Sequence, residues 1–87
     1  MKNVYQIEIH PSANKELQKL PDKIAIKVGV ALDLIATDPY KHGKRLYGEY
    51  DGQYSHRVWP YRIIFTILQD RIIVIVLKIL HRKDAYK

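Results

Sequence analysis

Apolar and polar residues alternate over positions 4–9, with Tyr5, Ile7 and Ile9 on one side and Gln6 and Glu8 on the other, the period of a half-buried strand. His10-Pro11-Ser12 punctuates the run. Proline suits a first helical position because its missing N–H would be unpaired there anyway. Ala13, Leu17 and Leu20 then recur at helical spacing, with Lys15, Glu16 and Lys19 turned to water. Pro21-Asp22 breaks this helix and caps a second one, in which Ile24, Val28, Ala31 and Ile35 form a stripe that Leu32 widens. Thr37-Asp38-Pro39 stops it. From Tyr40 to Gln53 the chain is polar, basic and punctuated by glycine, which reads as a long loop with little regular structure, anchored by Leu46. Three strand-like runs follow, Tyr54–Val58, Tyr61–Leu68 and Ile72–Leu80, joined too closely for anything but antiparallel hairpins. The last is apolar almost throughout and is expected at the centre of a sheet, covered on both faces. The order β-α-α-β-β-β predicts one α+β domain over residues 1–87, a helical hairpin on one face of a mainly antiparallel four-stranded sheet.

Counting from a two-residue turn at Trp59-Pro60 sets Val58 opposite Tyr61, Arg57 opposite Arg62, His56 opposite Ile63 and Ser55 opposite Ile64. Arg57 and Arg62 then stand side by side on one face, their Cβ atoms about 5 Å apart. Like charges in that position destabilise a sheet, but an anion between them reverses the sign, because two guanidinium forks can share one phosphate. Tyr61, Ile63, Phe65 and Ile67 take the opposite face, beneath the helices. A three-residue loop at Gln69-Asp70-Arg71 places Lys78 beside Arg62 and sends Ile73, Ile75, Leu77 and Ile79 to the core. A two-residue loop turns Lys78 inward, which is harder to accommodate. The chain's last residues then bring His81, Arg82 and Tyr86 toward the pair. His56, sharing a face with Ile63, reads as a packed, hydrogen-bonded histidine. Trp59 at the hairpin tip suits either stacking on RNA or shielding the core.

Charge sharpens this picture. Residues 1–40 hold five lysines against five acids, whereas residues 41–87 hold ten basic residues against four, so the whole excess of +6 lies in the second half. All five arginines and five of the seven tyrosines lie beyond Tyr40, pairing a fork that fits phosphate with rings on which bases stack. Lys44, Arg45, Lys78 and Lys83 add candidate RNA contacts. The chain has no cysteine, which excludes a disulfide scaffold and thiolate zinc sites. Its four histidines, His10, His42, His56 and His81, have no partner at i+3 or i+4, so no metal or other cofactor is expected. The opening MKNVYQIEIH lacks an apolar signal core, and the longest apolar run, Ile72–Leu77, is too short to span a bilayer, so a soluble cytoplasmic domain without membrane contact is expected.

The segment YSHRVWPYRIIFTI, the strand-like IIVIVLKI and the terminal HRKDAY together resemble the RelE/ParE superfamily of bacterial and archaeal toxins. Leu46-Tyr47-Gly48 and Ser12-Ala13 with Leu17 and Leu20 fit the same pattern, so the resemblance covers essentially the whole chain. It implies the toxin of a toxin–antitoxin system: an endoribonuclease, independent of metal, that cuts messenger RNA in the ribosomal A site and is neutralised by a cognate antitoxin. Carried over by motif, Arg57 matches a basic position of the second strand, Arg62 the arginine of the Tyr-Arg pair, Arg82 the arginine after the last strand, and Tyr86 the terminal tyrosine. Ser55 stands where some members carry a further lysine, which leaves proton transfer to Arg57, His81 or Tyr86. Two rival readings remain: a gyrase-poisoning toxin of the ParE branch that cleaves no RNA, and a nucleic-acid-binding module without catalysis.

Overall fold

A computed structural model describes residues 4–85, with the side chains of residues 84 and 85 left aside. Strand β1 (Gln6–Ile9) leads into α1 (Pro11–Lys19) and α2 (Asp22–Thr37). A short α3 (Pro39–His42), β2 (Lys44–Arg45) and a 3-10 turn (Gly48–Tyr50) precede the long strands β3 (Gln53–Val58), β4 (Tyr61–Leu68) and β5 (Ile73–His81), and α4 (Arg82–Ala85) follows. The α+β class and the helical hairpin on one face of a mainly antiparallel sheet hold. The sheet has five strands rather than four, in the order β1-β5-β4-β3-β2, with β1 parallel to β5 and every other pairing antiparallel. No described helix is long and apolar enough to cross a membrane.

The extra strand comes from the stretch expected to be a loop. Asp38-Pro39, read as a stop, also starts α3: the Asp38 carboxylate accepts the Lys41 N–H at 3.2 Å, and proline occupies the first turn. After α3 the chain pairs Lys44 with Ser55 and Arg45 with Tyr54. Gly43 makes the junction possible. A Cβ there would lie 2.5 Å from Phe65 Cζ and 2.8 Å from the Pro39 carbonyl oxygen. Since Phe65 is fully buried, neither neighbour can yield cheaply. Gly43→Ala is expected to cost about 1–3 kcal/mol by overpacking, read as a lower midpoint in urea unfolding; an unchanged midpoint would show that the Phe65 ring has room to move.

The core follows the stripe of α2. Val28, Ala31 and Ile35 are buried with Ala13 of α1 and with Val58, Ile63, Phe65, Val74, Val76 and Ile79 of the sheet, while Ile24 and Leu32 pack at its margin. The opposite side of α2 leaves Ile26, Val30 and Leu34 exposed at four-residue spacing.

The β3–β4 register is the one counted from the turn, with Val58 opposite Tyr61 and Arg57 opposite Arg62. The β4–β5 register needs correction. Leu68 pairs with Ile73, so the loop has four residues, and Ile72 within it adopts φ 56°. A bulge between Ile64 and Phe65 then skips Leu77: Phe65 pairs with Val76, but Ile64 with Lys78. Each irregularity shifts the pairing by one residue, and a one-residue shift exchanges the two faces of a strand. Before the bulge, therefore, Val74 and Val76 enter the core in place of Ile73 and Ile75, and Leu77 is only partly buried. Beyond it the two shifts add to two. Ile79 stays inside and Lys78 keeps its expected face, but Leu80 rather than Lys78 stands opposite Arg62. Strand β5 is central, as expected, yet only one face is fully covered; Ile73, Ile75, Leu77 and Leu80 are half-buried and Lys78 is exposed on the other.

Candidate functional site

That second, helix-free face carries the cations. Side chains on paired residues share a face, so two adjacent cross-strand rows can be read from the register. One row runs Lys44, Ser55, Ile64, Lys78 across β2, β3, β4 and β5; the next runs Arg57, Arg62, Leu80. Ser55, at 5% exposure, is the one buried polar residue among those described, and its small side chain lies directly beside the exposed Lys44. The open face thus gathers two lysines and two arginines within two rows. Four like charges this close raise the local positive potential and favour a bound anion.

The hairpin tip extends this patch. Trp59 is 55% exposed, and the Trp59–Pro60 peptide is cis. The Arg57 guanidinium lies 5.9 Å from the indole centroid and the Arg82 guanidinium 5.2 Å from it. The Arg82 N–H also donates to the Pro60 carbonyl at 2.7 Å, so the start of α4 is tied to the turn. One indole therefore draws together cations from β3 and from the chain segment after β5, each contact contributing about 0.5–1 kcal/mol at such exposed positions. Trp59 serves the cation patch and leaves the core to Val58, Tyr61 and their neighbours.

His81 is not brought to the arginine pair. Its register partner is Tyr61, and the two rings meet edge-on at 5.1 Å, on the helix-covered side of the sheet rather than the side of Arg57 and Arg62. Its Nδ1 accepts the Lys83 N–H at 3.2 Å, which steadies the turn that carries Arg82. Read from the sequence, the last strand ends at Leu80 and His81 belongs to the tail, whereas β5 runs through His81 and strand alternation turns its ring to the side of Tyr61. His56 is the packed histidine expected. Its Nδ1 bonds the His42 carbonyl at 2.6 Å, and since a carbonyl only accepts, Nδ1 carries the hydrogen. Arg45 alternates away from Lys44 and is occupied by Asp51, 3.7 Å away, and by the Tyr47 ring at 5.5 Å. Lys83 is exposed on α4. Tyr86 lies outside the described residues.

Among the described residues, no three of His, Cys, Asp and Glu converge in a way that could hold a metal ion. Tyr40 sits away from the patch: desolvation, with Tyr5 and Tyr54 adding to it, holds its pKa above the ordinary value, and it donates to Gln69 Oε1 at 3.2 Å. The patch is thus a set of fixed cations flanked by an exposed aromatic ring, suited to a phosphodiester and its bases. Nothing local in the sequence signals the residues on its far side, Tyr50, Gln53 and His10, which reach the open face only through pairing at long range. Ser12, for example, donates its hydroxyl to the Leu77 carbonyl at 3.1 Å, across 65 positions.

Comparison with known proteins agrees with the geometry. Residues 7–86 match the family model described as ParE toxin of type II toxin–antitoxin system, parDE. The chain is 32% identical to toxin RelG of Mycobacterium tuberculosis over 84 residues, covering 95% of this chain and 97% of that protein. Its fold superposes on the toxin–antitoxin complex RelBE2 of the same organism with a TM-score of 0.83 at 28% identity, covering 94% of this chain and 95% of that one. The archaeal RelE–RelB complex of Pyrococcus horikoshii OT3 gives a TM-score of 0.79 at 25% identity, covering 91% and 96%. The chain belongs to the RelE/ParE superfamily and is the toxin of a type II toxin–antitoxin system.

Proposed function

We propose that this toxin is a ribosome-dependent endoribonuclease that cleaves messenger RNA by attack of a ribose 2′-OH on the adjacent phosphate. The observation that carries this reading is the cross-strand placement of Arg57 and Arg62 on an open sheet face, where two guanidinium forks can share one phosphate. In the reaction the bond from phosphorus to O2′ forms and the bond to O5′ breaks. The 2′-OH loses a proton and the departing 5′-oxygen gains one. Charge grows on the equatorial phosphate oxygens, and guanidinium groups fixed beforehand by a sheet stabilise that charge without reorganising. Arg62 and Arg57 hold the scissile phosphate, and Arg82, gathered to the same side by Trp59, adds a third fork. Lys44 and Lys78 receive the flanking phosphates. His81 acts as a positioning residue through the Lys83 N–H. Arg57, an exposed guanidinium that stays protonated, acts electrostatically, and proton transfer falls to Tyr86.

So few cations bind free RNA weakly at physiological salt, because each phosphate contact gains only its share of counterion release. The ribosome therefore supplies the message in place, and the site of action is the cytoplasm. A cognate antitoxin is the second partner; the exposed Ile26, Val30 and Leu34 stripe of α2 suits an amphipathic segment of it.

The test is primer extension on a message in a translating extract. Purified wild-type toxin is expected to give breaks within translated codons and far weaker cutting of the same RNA without ribosomes, and Arg82→Ala to weaken the breaks. Intact messages would sink the proposal. The matching family model is named for a ParE toxin, and the rival reading for that branch, gyrase poisoning, would instead appear as gyrase-linked DNA damage with messages uncut.

A further inference from the structure

An open cleft of about 480 Å³ lies on the helix-free face between the start of α1 and the 3-10 turn; Leu77, His10, Glu49, Tyr50, Gln53 and Lys78 line it. A second recess of about 300 Å³ shares Lys78 and Ser12 with it and reaches Leu80, the residue opposite Arg62. Together they form a track from the arginine row to Tyr50. Along β3 the track spans Arg57 to Gln53, four residues and so about 13 Å.

The chemistry changes along that track. Its arginine end carries Arg57, Arg62 and Lys78, with one carboxylate on the recess wall, Glu16, whose charge Lys19 meets at 3.9 Å. Its far end sets the Glu49 carboxylate, which has no such cation beside it among the described residues, with the Gln53 amide and the Tyr50 ring, which is 45% exposed. A carboxylate repels phosphate, so the far end is unsuited to the backbone of a nucleic acid. It is suited to a base. A carboxylate accepts from an exocyclic amino group, an amide both donates and accepts, and a phenol ring offers a stacking surface. His10 is held in a matching orientation, since its Nδ1 accepts the Ser12 N–H at 3.2 Å, which leaves Nε2 as its remaining polar atom. The volume lies within the ~300–1,000 Å³ typical of small-ligand sites.

We propose that this cleft is a nucleobase site that selects bases bearing an exocyclic amino group, adenine, cytosine or guanine, over uracil. Uracil offers Glu49 only its single N3–H, flanked on both sides by carbonyl oxygens that the carboxylate repels, whereas an exocyclic amino group presents two N–H donors. The site sits beside the phosphate held by Arg57 and Arg62, with Lys78 on the linkage between, and so gives the toxin a sequence preference near the cut. This rests on the nuclease reading for its consequence, though not for its binding chemistry.

Two measurements separate these. Titration of the isotopically labelled full chain with cytidine, adenosine, guanosine and uridine 5′-monophosphates, followed by NMR, is expected to shift the Gln53 side-chain amide and the Tyr50 ring, with the uridine compound binding at least about tenfold more weakly than the best of the others. Ribose 5-phosphate is expected to leave those signals in place. Glu49→Gln is expected to erase the discrimination against uridine. Equal binding of all four compounds, or an equal response to ribose 5-phosphate, would overturn the site. Sequencing of cut ends from the translating extract should show uracil depleted at one position near the break, and less so with Glu49→Gln. Messages left uncut, with mononucleotides still discriminated, would remove the nuclease reading and keep the cleft; cutting without discrimination would remove the cleft alone.

Discussion

Replacing Arg62 by Ala is expected to slow message cleavage by about 10²–10³-fold, the usual loss when one preorganised donor to a transition-state oxyanion is deleted. Arg57→Ala is expected to act in the same direction. With both forks on one phosphate, as proposed, the double variant should lose less than the product of the two single effects. The accompanying stability change separates a site residue from a structural one. Arg57 is exposed and faces another arginine across the strands, so its removal relieves repulsion at the cost of one contact with Trp59. Thermal unfolding of Arg57→Ala should therefore occur at or above the wild-type temperature while activity falls. Arg62→Lys keeps the charge without the planar fork and should recover only part of the rate. Cleavage by Arg62→Ala within about threefold of wild type would show that the pair does not bind the reacting phosphate.

Phe65→Ala is expected to cost about 3–5 kcal/mol, through lost transfer energy and the cavity left behind. At about 0.05–0.15 kcal/mol per residue, a chain of 87 residues has a total stability on the order of 4–13 kcal/mol, so the loss ranges from about a quarter of the total to the whole of it. The ring is fully buried, stacks on Tyr54 at a centroid distance of 5.8 Å, and leaves no space for a Cβ at Gly43. It also lies at the bulge that resets the register of β5. Loosening it should disturb the placement of Lys78 as well as the core, because the bulge is held by packing on both sides of the irregularity. Urea unfolding measures the first effect, and the exchange rates of backbone amides over residues 76–78 measure the second. A loss below about 1 kcal/mol would mean that the surrounding side chains collapse into the vacated volume.

The two substitutions act at neighbouring positions with opposite purposes. On β4, Arg62 and Phe65 are three residues apart and point to opposite faces, one toward the proposed phosphate site and the other into the core. A sheet holds such a site better than a loop would, because strand pairing fixes the arginine Cα positions before any ligand arrives.

What could be read from the amino-acid order was whatever local rules decide. The two-residue turn at Trp59-Pro60 makes the β3–β4 register a matter of counting, and the Arg57–Arg62 pair followed from it. The 3.6-residue spacing of Val28, Ala31 and Ile35 marked the buried face of α2, and the basic second half with its Tyr-Arg and His-Arg motifs marked the superfamily. Other features depended on partners distant in the chain. The four-residue loop and the bulge after Ile64 are each a one-residue choice, settled by which of Val74 and Val76 or Ile73 and Ile75 best fill the space under the helices. Both sets are apolar, so composition gave no preference. The side taken by His81, the strand at Lys44 that places an ammonium beside Ser55, and the cleft joining His10 to Tyr50 likewise exist only once the strands are paired. Strand alternation has a period of two, so a single unpaired residue reverses every later assignment, and only packing against the rest of the molecule fixes where that residue falls.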